Sequence, residues 1–137
     1  MSDAARTSPQ DTEIVQRFED RTLRPEQFGH RQHLLVAWTY LRALPFGEAA
    51  LRFASQLKGF AERHGAAAKY HETLTWAYAA LLHERMHGSP AAADFDAFLA
   101  RNPDLLAHPG ALAPYYDADT LQSELARRVF VLPRPRR

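Results

Sequence analysis

The chain predicts an all-α fold, a four-helix core with one or two short accessory helices. Three observations carry that expectation. Apolar residues recur at three- and four-residue steps through several long stretches, the spacing of one helix face. Proline, glycine and small polar residues fall between those stretches, where helices start and stop. No run alternates with period two, apart from a short one at Val129 to Leu132. With 137 residues, 46% hydrophobic and 11% aromatic, one domain of this length buries a core without staples.

Residues 1–10 read as a flexible arm, polar and rich in alanine and serine. Asp11 reads as an N-cap, and Ile14, Val15 and Phe18 supply the apolar face of a first helix to about Arg21. Leu23 to Pro25 breaks it, and Pro25 suits the first turn of a second helix running from Glu26 to Leu44. Leu34, Ala37, Leu41 and Leu44 form its stripe. A third helix runs from Gly47 to Gly65, with Gly65 as its C′ residue. It carries one stripe through Leu57 and a second through Phe53 and Phe60, so it touches more than one neighbour.

The fourth helix spans Ala67 to Met86, with Leu74, Tyr78, Leu81 and Leu82 inward. Ser89-Pro90 reads as the cap of a short fifth helix, Ala91 to Arg101. A proline-containing loop covers Asn102 to Pro114. Asp119 with Gln122 resembles a capping box opening the last helix, to Val129. The single helical domain thus covers 11–132, followed by a basic tail at 133–137. The short connections make sequential helices antiparallel.

Composition excludes several function classes. Seventeen basic and sixteen acidic side chains give a net charge of +1, without the basic excess of a nucleic-acid binder. No cysteine is present, so disulfides, thiolate metal sites and a cysteine nucleophile are out. The first ten residues lack the apolar stretch of a secretory signal, and no run approaches the roughly 20 apolar residues that span a bilayer. The expectation is a cytoplasmic protein without nucleic-acid or membrane partners. Neither a phosphate-cradling glycine loop nor a G-x-S-x-G elbow occurs.

The histidines are the chemical feature. His30 and His33 extend the apolar stripe of the second helix, three residues apart and therefore neighbours. His71 shares a stripe with Leu74, Tyr78 and Leu81 in the fourth helix. In an up-down bundle the second and fourth helices run parallel. All three histidines then fall at one end. The expected site is a divalent metal ion held by His30, His33 and His71, with Glu72 as fourth ligand or general base and Thr75 one turn from His71. Two readings without metal stand beside it: a polar site for a small-molecule ligand, and a structural hydrogen-bonded network. His64, His83, His87 and His108 sit at helix ends or in loops and read as solvated. His83 and His87, four apart in a polar context, are expected to hold metal only weakly.

Phe28-Gly29-His30-Arg31-Gln32-His33-Leu34, then Val36-Ala37-Trp38 and Tyr40-Leu41, resembles the F/W-x-H-x-x-H-L opening of an uncharacterised family of small bacterial helical proteins. Tyr70-His71-Glu72-Thr73-Leu74-Thr75 resembles that family's Y-H-E-T-[IL]-T segment. The resemblance covers about Phe28 to Arg128 and implies that His30, His33, His71 and Glu72 act as a unit. The family motif often has threonine or serine where this chain has Gly29. A looser analogy is to DinB-like four-helix metalloproteins, which hold a divalent ion with three histidines at wider spacing. Two functions follow. One is a metal-dependent enzyme on a small metabolite, by hydrolysis, transfer or oxygen chemistry. The other is a non-enzymatic helical ligand- or partner-binding module.

Overall fold

The computed structural model describes residues 8–107 and 110–133. Most of the expected arm (1–7), the last four tail residues and His108 lie outside the described residues. The fold is all-helical. Its helices are α1 (Pro9–Glu19), α2 (His30–Ala43), α3 (Phe46–Arg63), α4 (Glu72–His87), α5 (Phe95–Arg101), α6 (Ala118–Gln122) and α7 (Glu124–Arg128). The helices α2, α3 and α4 pack on one another in all three pairings, α1 lies on α2, and α7 lies on α4. One continuous apolar core runs through α1, α2, α3, α4 and α5.

The starts of the helices explain the arrangement. α1 begins two residues before Asp11, because Pro9 takes the first position and the Ser8 hydroxyl accepts the Asp11 amide at 3.1 Å. Asp11 is not the cap. It is buried, and its carboxylate accepts two bonds from the Arg31 guanidinium, at 3.1 and 3.3 Å. Arg31 also binds Asp96 at 2.7 Å and lies over the Phe95 ring. One side chain thereby ties α1, α2 and α5.

The second helix starts at His30, not Glu26. Pro25–Gln27 forms only a 3₁₀ turn. Phe28 then leaves helical geometry, and its ring enters the core 4.6 Å from that of Phe18. Gln32 reaches back to accept the Gly29 amide at 2.9 Å and opens α2 one residue later. α3 ends as expected. Gly65 adopts φ +67°, and the Ala66 amide turns back to the Ala61 carbonyl at 2.7 Å.

The fourth helix starts at Glu72, because Ala67–Lys69 is a separate 3₁₀ turn. The fifth is shorter than Ala91 to Arg101: Asp94, not Ser89, caps it by accepting the Ala97 amide at 2.8 Å. The last helix is two. Asp117 caps α6, and Ser123, with extended backbone, ends α6 and caps α7. After α7 the chain runs extended along α4. The Thr73 hydroxyl, fully buried, donates to the Val129 carbonyl at 2.8 Å and accepts the Val131 amide at 3.0 Å. The Tyr116 hydroxyl donates to the Val131 carbonyl at 2.7 Å. This is the segment with period-two alternation, and a side chain rather than a second strand satisfies it. Among the described residues no helix is long and apolar enough to cross a membrane.

Thr73 yields a clear expectation. Thr73→Val keeps the volume but leaves a buried amide and a carbonyl without partners, so unfolding stability should fall by about 1–3 kcal/mol. Thr75→Val, which removes a bond to the carbonyl one turn back and a contact with the Tyr70 hydroxyl but strands no buried amide, should lose less. Urea midpoints of the two variants provide the comparison.

Candidate functional site

Where α2 and α4 begin and α3 ends, the bundle encloses a cavity of about 630 Å³. α2 and α4 therefore run parallel, with α3 antiparallel between them. The floor is apolar: Leu34, Phe53, Leu57, Phe60 and Leu74. Polar groups gather toward the mouth, and His30, His33 and His71 all line it. So does Thr75. The expected clustering at one end of the bundle is what the fold builds.

Each imidazole has a different job. His71 is the N-cap of α4: its Nδ1 accepts the Leu74 amide at 3.0 Å. A nitrogen that accepts carries no proton, so the ring's proton sits on Nε2, which donates to the Leu121 carbonyl at 2.7 Å. Both nitrogens of His71 are engaged with backbone, and neither offers a lone pair to an ion. His30, the first residue of α2, donates through Nε2 to the Leu105 carbonyl at 2.8 Å and stands edge-on to the Tyr78 ring. His33 donates through Nδ1 to the Gly29 carbonyl at 2.8 Å, which leaves its Nε2 as the lone-pair nitrogen of the neutral ring. Among the described residues, no group of three or more His, Asp or Glu side chains is placed to hold a metal ion.

The two expected catalytic residues also have protein partners. The Thr75 hydroxyl donates to the His71 carbonyl at 2.8 Å. Glu72 does not line the cavity. Its Oε1 accepts the Tyr70 hydroxyl at 2.7 Å, with Lys58 Nζ at 3.9 Å. Burial, and then the Glu72 carboxylate, push the Tyr70 phenol well above its ordinary range, so Tyr70 stays a neutral donor.

No family model, no curated protein and no solved structure matches this chain. The chemistry of the cavity therefore rests on its own side chains. They are unbalanced in charge. His30, His33, His64 and His71 line it together with Lys69, and among the described residues no carboxylate does. Burial lowers the pKa of His33 from its ordinary 6.5, nearby His30 adds to that, and the bond to the Gly29 carbonyl opposes it.

His64 is the residue the sequence reading missed. It is the C-cap of α3, and its ring packs at a tilt against Phe60, with centroids 4.5 Å apart. Its Nε2 is buried without a partner. Depth would have found it: Gly65 marks the end of α3, and in an antiparallel helix that end lies beside the starts of α2 and α4. An aromatic ladder joins His64 to His33. Phe60 packs on Phe28 at 4.9 Å, and Phe28 on His33 at 4.0 Å.

Two outcomes are expected. His71→Ala loses the cap and should destabilise the fold by about 1–2 kcal/mol, whereas His71→Asn, a competent cap, should recover much of that in thermal melts. For His33 the folded ring holds its proton less tightly than the unfolded one. Its contribution is fully present above about pH 6.5 and is lost as pH falls toward the lower folded value. His33→Gln should therefore flatten part of the stability decline between about pH 7 and about pH 5, read as urea midpoints across that range.

Proposed function

We propose that this protein binds a small, largely apolar organic molecule with an acidic head group, in the cavity between α2, α3 and α4. The observation that carries the reading is the wall itself, an apolar floor under four imidazoles and an ammonium, with no carboxylate among the described residues. A cavity of about 630 Å³ lies within the roughly 300–1,000 Å³ of small-molecule sites. The hydrophobic floor supplies affinity through buried area, and the mouth selects the head group.

An entering carboxylate would meet the positive charge of Lys69 and, beside it in the wall, the neutral ring of His33, whose Nε2 is not held by backbone. The carboxylate would favour the protonated ring and draw a proton onto it. His30 and His71 differ, since their bonds to Leu105 and Leu121 hold the mouth in shape. This division of labour supports ligand binding over a three-histidine metal centre, which would need His71 to give up its cap.

The test is a binding titration, followed by amide chemical shifts, with aromatic and medium-chain carboxylic acids and their neutral amides. Acids should bind more tightly than their amides and shift the amides of α2, α3 and α4 at the cavity. Ala61→Trp, which fills the cavity, should abolish binding while preserving helicity. Lys69→Gln should narrow the preference for the acid. No shift at cavity residues with any probe would sink the reading. Elemental analysis of tag-free protein addresses the metal alternative. One equivalent of ion, lost in both His33→Ala and His71→Asn, would restore the ligand set expected from sequence.

A further inference from the structure

Away from the cavity, α4 ends in His83-Glu84-Arg85-Met86-His87. We propose that His83 and His87 form a second, independent site, for a late first-row divalent ion such as zinc. Residues four apart on a helix share a face, so both imidazoles stand one above the other. Their ring centroids are 4.5 Å apart. Two imidazoles on one tetrahedral zinc, each with its nitrogen about 2.0–2.1 Å from the ion, have ring centres about 5 Å apart. The rings are thus already near the chelating separation, and a small side-chain rotation closes the difference.

Three further features favour a cation there. His83 packs on the Phe46 ring of α3 at 4.9 Å, which limits the rotamer freedom that binding must freeze. His87 is the last residue of α4, at the negative end of the helix dipole. Arg85, the nearest fixed positive charge in sequence, is turned to Asp104, with Nη2 2.7 Å from Oδ2, and is neutralised by that carboxylate. In contrast to His71, these two rings make their contacts with each other and with Phe46.

The pattern H-E-x-x-H on a helix is the one with which zinc peptidases present two ligands and a base. Here no third His, Asp or Glu joins the pair among the described residues. Two protein ligands leave two positions of a tetrahedral ion to water or to a donor from another molecule. The site is therefore one of binding, and Glu84, the next residue after His83, is exposed.

Zinc chloride titrated calorimetrically into the full, tag-free chain tests this. One equivalent should bind, and His83→Gln and His87→Gln should each weaken it at least about tenfold, since a single imidazole remains. His33→Gln, at the cavity, should leave the isotherm unchanged, which separates this site from the cavity reading. Both α4 variants replace side chains that make no cap, and their far-UV circular dichroism should match the parent. Absence of zinc binding in the parent, or an isotherm unaltered in both α4 variants, would overturn the proposal.

Discussion

The start of α4 rests on one imidazole. A helix leaves its first amides without partners, and a helix beginning at the edge of a cavity has little water to supply them. His71 answers with Nδ1 and, through Nε2, takes hold of the chain 50 residues later. Both bonds need the same neutral tautomer, so each reinforces the other. Were α4 to begin at Ala67, as its apolar periodicity suggests, the ring would lie inside a helix and could not cap it. The mouth of the cavity would lose its shape. His30 and Leu105 repeat the device on α2 with a single bond.

Once those two histidines are committed to architecture, what remains for recognition is smaller and more specific. His33 keeps an Nε2 that backbone does not hold, Lys69 brings a charge at the rim, and Tyr70 remains a neutral hydroxyl tied to Glu72. Water is excluded on the floor side by the ladder from Phe18 through Phe28 and Phe60. A histidine against such a floor favours its neutral form. In the binding reading proposed above, ligand charge and ring protonation would be coupled by that arrangement rather than by any single strong contact.

Much of this was legible in the residues. Helical periodicity placed all three long helices, Gly65 marked the end of α3, and parallel α2 and α4 brought His30, His33 and His71 to one end. The roles of the histidines were not legible, because their partners are main-chain carbonyls. A sequence shows donors by type, but any residue carries a carbonyl. For the same reason the partners of Thr73, the Val129 carbonyl and the Val131 amide, leave no mark in the sequence. Helix starts were misjudged where a 3₁₀ turn precedes the helix, as at Pro25 and Ala67, since such turns share the first few apolar positions of the longer element. The N-cap at Asp11 failed differently: a charged residue near a helix start fits the capping pattern equally well whether it caps or, as here, pairs with an arginine 20 residues away.

The carbonyls of Leu105, Leu121 and Val129 carry a constraint of an unusual kind. Each accepts a bond from His30, His71 or Thr73, and none requires a particular side chain to do so. Over evolutionary time these three positions are free to exchange residues as far as those bonds are concerned. Their spacing along the chain is not free. Insertion or deletion of one residue between Leu105 and Val129 moves a carbonyl by about 3.5 Å, beyond the reach of a hydrogen bond. At these three contacts the chain is accordingly indifferent to side-chain identity and intolerant of changes in length, the reverse of what loops ordinarily permit, while buried residues such as Leu105, Tyr116 and Ala126 keep the demands of the core.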